Sequence, residues 1–128
     1  MTETIARTDL AALLERVRKA TGPDRELDYE IPLAVEPPPP TGFWTTDREY
    51  YPPITSSIDA ALGLVERVLP GWSWRVGAYN LDRVPRCELA QPVETEFGPG
   101  IGVRAQVDGP TAPLAILAAM LTALEDRR

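Results

Sequence analysis

Arg75 and Arg104 each occupy the polar phase of a stretch in which apolar residues recur at every second position, and Glu88 occupies the same phase of a third such stretch. If the three stretches are neighbouring strands, these side chains share one face, because successive strand residues alternate between faces. Two guanidinium groups side by side make a planar, multi-donor receptor for a phosphate or carboxylate. A glutamate between them turns the same face into paired surface charges. A second candidate group is Trp44, Arg48, Tyr50 and Tyr51, where aromatic rings can stack on a planar ligand and the arginine can pair with an anion.

Other residues with chemical potential are less promising. Asp24, Glu26, Asp28 and Glu30 invite a cation-site reading, but at alternate positions of a helix they spread over more than half its circumference. A solvated acidic face is expected there and no metal site is assigned. Cys87 is the only cysteine, which rules out an intramolecular disulfide and suits a small buried strand residue. Lys19 is the only lysine and lies four residues after Glu15, the spacing of a solvated helical ion pair. The chain has no histidine, which removes Ser-His-Asp and Cys-His catalysis, HExxH zinc chemistry and any imidazole base. Carboxylates, hydroxyls and arginines remain, and they form no catalytic motif, so no catalytic residue and no cofactor is assigned.

A chain of 128 residues suits one domain with one core. Its net charge of −6 argues against nucleic acid as the main partner, since a phosphate-tracking surface needs broad positive charge. The longest apolar run, Thr111 to Leu124, lacks charges but is shorter than the roughly 20 residues that cross a bilayer. The charged N-terminal stretch has no apolar signal core, which gives a cytoplasmic expectation.

The elements that must position these residues centre on Thr55 to Val76. Ser56 and Asp59 have capping-box spacing with Asp in place of Glu, Ile58, Leu62, Val65 and Leu69 recur at helical spacing, and Pro70-Gly71 ends the helix. Trp72, Trp74 and Val76 then alternate as a half-buried strand. Upstream, residues 1–7 read as loose, a helix capped by Thr8 or Asp9 carries Leu10, Leu13, Leu14 and Val17, and Pro23 opens a short helix with Leu27 and Ile31 inside. Between them lies a proline-rich aromatic arm, 36–54, whose bland role is to fasten over the core, with a lid or a displayed proline run as alternatives. Downstream, Asn80-Leu81-Asp82 reads as a turn, Cys87 and Leu89 mark one strand, Val103, Ala105 and Val107 mark another, and EFGPG is the turn between them. Thr111 caps a final helix with Pro113 in its first turn, apolar around most of its circumference.

Three pieces, GPDRELDYEI from Gly22, YPPITSSIDAALGLVERVLPGWSWRV from Tyr51 and DGPTAPLAILAAMLTAL from Asp108, stand in an order that resembles the phage ABA sandwich domain family. The resemblance spans about three quarters of the chain and implies a three-layer α/β/α domain of viral or prophage origin, with no established activity and no site residues to carry over.

The expected architecture is one α+β domain spanning residues 1–128, a small mainly antiparallel sheet packed between helices. Its expected core joins Leu13, Val17, Leu62, Val65, Trp72, Trp74, Val103, Leu117 and Leu121. The expected function is non-enzymatic binding in an infected cell, of a small anionic, nucleotide-like signal or of a host protein. An accessory interaction protein without a ligand is the alternative and predicts no arginine-lined pocket. A carboxylate-based hydrolase is the second alternative and needs two acids converging in a cleft. A homodimer or higher oligomer, joined through the C-terminal helix or the arm, is expected because the uncharged helix carries more apolar surface than one small sheet covers. The opposing arrangement has the N-terminal helices cover that surface within one chain.

Overall fold

A computed structural model describes residues 2–36, 52–78, 81 and 83–126. Trp44, Arg48, Tyr50 and Tyr51, with Asn80 and Asp82, lie outside the described residues. The chain forms helices α1 (Thr2–Lys19), α2 (Arg25–Val35) and α3 (Ile58–Val68), strands β1 (Ser73–Gly77), β2 (Arg86–Thr95) and β3 (Gly98–Asp108), and helix α4 (Ala112–Asp126). The strands make an antiparallel sheet in the order β1-β2-β3, packed with the helices as a single small α+β domain.

Helix α4 is the hub. Thr111 caps it by accepting a bond from the Leu114 amide, and every residue from Pro113 to Leu121 is buried. A helix apolar all round must be covered all round. One side meets β2 and β3 through Cys87, Leu89 and Ala105, while α1 supplies Leu10, Leu13, Leu14 and Val17 and α3 supplies Ala61, Leu64 and Val65. The alanines at 115, 118, 119 and 123 are all buried and let these neighbours approach closely. Gly109 belongs to the same tight fit, since a Cβ there would lie 2.8 Å from the Ala115 nitrogen. The covering of α4 is therefore intramolecular, and the expected subunit interface on this helix is withdrawn.

The layers run sheet, α4, then α1 and α3, with α2 against α1. Among the described residues the sheet is thus an outer layer rather than the middle one. Its far face carries exposed Ser73, Arg75, Arg104 and Gln106.

Several local expectations shift. Helix α1 begins at Thr2, because Glu3, Ala6 and Arg7 contain no breaker and extending a helix already docked through Leu10 to Val17 costs little. Asp24 caps α2 by accepting bonds from the amides of Glu26 and Leu27, which leaves Pro23 outside the helix. Ser57, one residue later than expected, caps α3 through the Ala60 amide, and the Ser56 hydroxyl donates instead to the Pro53 carbonyl of the preceding turn. Gly71, with φ of +84°, lets the chain leave α3 in a left-handed turn that side chains resist.

Two members of the expected core are displaced. Trp74 is 46% exposed: it is paired with buried Leu89, but β1 is the edge strand and α4 lies mainly over β2 and β3. Val103 is only half-buried because the β2–β3 ladder is irregular beside it. Leu62 and Trp72 are partly buried against the core, whereas Leu13, Val17, Val65, Leu117 and Leu121 are inside as expected.

Candidate functional site

The strand register brings the polar positions together as the alternation predicts. Arg75 faces Glu88 across the β1–β2 ladder, Glu88 faces Gln106 across β2–β3, and Ala90 pairs with Arg104. Residues directly opposite in antiparallel strands share a face, and so do residues two apart, so Arg75, Glu88, Ala90 and Arg104 lie together on the open side of the sheet.

The next rung depends on an irregularity. Ala90 pairs with Arg104 but Pro92 pairs with Ile101, so Gln91 alone opposes Gly102 and Val103. This β-bulge is held by the Gln91 side chain, whose Oε1 accepts a bond of 3.1 Å from the Val103 amide. Strict alternation from Arg104 would turn Ile101 toward α4. The extra residue reverses that phase and leaves Ile101 on the open face, 58% exposed. Pro92 is tolerated here because β1 ends at the Ser73–Ala90 pair and no neighbour on that side needs its missing N–H.

Together these residues line a depression of about 280 Å³ formed by Ser73, Trp74, Arg75, Glu88, Ala90, Ile101 and Arg104. Its charge is asymmetric. Arg104 donates from Nε to Glu88 Oε2 at 2.6 Å, with a second contact from its Nη2. Arg86 and Asp108, paired at the other end of the face, form a two-pronged ion pair, with an Nη2 to Oδ2 distance of 3.1 Å. The Arg86 guanidinium holds the Asp108 carboxyl below its ordinary value, against a smaller opposing effect of desolvation. Arg75 has no carboxylate partner among the described residues, so it is the uncompensated cation of the depression.

Of the six candidate ligand residues, Arg75 and Arg104 are brought to one site, and Arg104 is already engaged by Glu88. Ile101 escaped sequence reading because its exposure depends on the bulge. Its setting between Gly100 and Gly102 was the available signal, since glycine inside a strand often marks a bulge.

The acidic residues of α2 do not converge, and no group of metal-ligating side chains occurs among the described residues. Asp28 departs from the solvated face expected of it, being 1% exposed. Its Oδ1 accepts from the Thr55 amide at 2.7 Å and from the Thr55 hydroxyl at 2.8 Å, and its Oδ2 pairs with Arg25. The Thr55 hydroxyl in turn accepts from the Asp24 amide at 2.8 Å, which seats the entry to α3 on the first turn of α2. Lys19 pairs with Glu15 as the helical spacing predicts. Cys87 is fully buried, and burial, aided by the neighbouring charge of Glu88, pushes its thiol up to about 12. It stays protonated at neutral pH and is a poor nucleophile.

Comparison with protein-family models, curated proteins and solved structures gave no match to the chain. Among the described residues no helix is long and apolar enough to cross a membrane.

Proposed function

We propose that this protein is a small, cytoplasmic, non-enzymatic binding protein of phage type, and that it engages a partner protein through the open face of its sheet. The observation that carries this reading is the depression in which Arg75, without a carboxylate partner among the described residues, lies beside exposed Ile101. Arginine is a usual anchor of protein recognition, and a guanidinium that meets no carboxylate among the described residues favours one on the partner. An accessory protein without a ligand has no use for such an arginine-lined depression. Sequestration of a nucleotide-like anion draws less support, because Glu88 neutralises one of the two arginines that would clasp it. The non-enzymatic part of the reading draws on the missing histidine, the protonated Cys87 and the engagement of Glu88 in an ion pair. The phage setting draws on the order of the three sequence pieces alone.

Native mass spectrometry of wild type and Arg75→Glu, each recovered from the cells that naturally make the protein, tests the proposal. A stoichiometric polypeptide retained by wild type and lost from Arg75→Glu is the expected result. A small anion lost in the same way would replace protein binding by sequestration, and identical spectra would overturn the assignment of the face.

A further inference from the structure

The β2–β3 hairpin runs well past its neighbour. Strand β1 stops at the Ser73–Ala90 pair, whereas β2 and β3 stay paired to Thr95 and Gly98, roughly 17 Å further at about 3.4 Å per residue. The turn at its tip is shaped by Thr95, whose Oγ1 accepts from the Phe97 amide and donates to the Gly98 carbonyl. No residue from Gln91 to Arg104 is buried, and Phe97 at the tip is 92% exposed. A two-stranded ribbon without a core of its own is marginal in water, and an exposed phenylalanine at its end adds nothing to the fold of a single chain. Glu94 and Glu96 shortly precede that phenylalanine, are exposed, and form no ion pair among the described residues.

The arm and the depression are complementary. One offers an aromatic ring preceded by two exposed carboxylates, and the other offers Ile101 and Ala90 beside the Arg75 guanidinium, none of these charged groups being paired among the described residues. We propose that the hairpin tip of one copy seats in the sheet-face depression of a second copy, Phe97 against Ile101 and Ala90, with Glu94 and Glu96 toward Arg75. The exchange is reciprocal, so one twofold contact satisfies both arms and both depressions. The proposal deepens the reading of this face as a binding surface and rests on it. A partner protein that brings its own apolar and acidic segment then competes with the arm of the second copy.

Sedimentation equilibrium over micromolar to millimolar concentration tests this with wild type, Phe97→Ser, Arg75→Glu and the double variant Glu94→Lys/Glu96→Lys. These side chains are exposed, so circular dichroism should find all four chains folded. Wild type should approach twice the 14.1 kDa of one chain. Each variant alone should dimerise at least about tenfold more weakly, by the loss of one anchor or of its charge match. Mixing Arg75→Glu with the double lysine variant should restore dimerisation, because each face then meets an arm of opposite charge. A 14.1 kDa species at every concentration overturns the arm exchange, as does a dimer indifferent to these substitutions. Neither outcome alters the Arg75→Glu comparison by mass spectrometry, so the arm can fail while the binding face stands.

Discussion

Helix α4 and the outer β2–β3 hairpin are both regular secondary structure, yet among the described residues one is the most enclosed part of the molecule and the other among the least. From Pro113 to Leu121 every residue of the helix is buried, whereas from Gln91 to Arg104 the hairpin buries none. The helix owes its conformation to apolar contact with the sheet on one side and α1 and α3 on the other. The hairpin owes its own to ladder bonds, a bulge pinned by Gln91 and a turn pinned by Thr95. The contrast divides the chain into a part that makes the fold and a part free to be shaped by what it meets.

The division is broken most directly at Leu121. Leu121→Ala should cost about 2–5 kcal/mol, read as a lower urea midpoint, because the surrounding side chains cannot collapse fully into the cavity. An unchanged midpoint would remove α4 from the centre. Asp28→Ala should cost about 1–3 kcal/mol, since it leaves the Thr55 amide and hydroxyl inside the protein without their acceptor. Asp28→Asn should recover part of that loss, because an amide oxygen still accepts, and equal midpoints for the two variants would refute the hydrogen-bonding role. Phe97→Ser should move the midpoint by no more than about 0.5 kcal/mol at monomer concentrations. A larger loss would mean that the tip contributes to the fold of the single chain.

Sequence reading reached the enclosed region more fully than the open one, for physical reasons. The α4 segment carries its own cap, its first-turn proline and an all-round apolar pattern, all local signals. The joint face of Arg75, Glu88 and Arg104 was legible too, because the two-residue period is intrinsic to a strand. The burial of Asp28 was not, since its partner Thr55 is 27 residues away and no local pattern announces the pair. Trp74 misled because alternation tells which face a side chain takes but not how far the covering helix extends. Ile101 was hidden by a single inserted residue that reverses the phase of everything beyond it.

Cys87, the single thiol, sits on the middle strand directly beneath α4. With its thiol pushed up to about 12 and its side chain fully enclosed, a thiol reagent at neutral pH meets it only when sheet and helix separate. Alkylation at this position therefore behaves as a clock for opening events. When reclosing outpaces labelling, the rate measured against that of the unfolded chain gives the free energy of exposing the middle strand. The molecule thus carries a built-in probe of the separation that frees its hub, distinct from any motion of the hairpin tip.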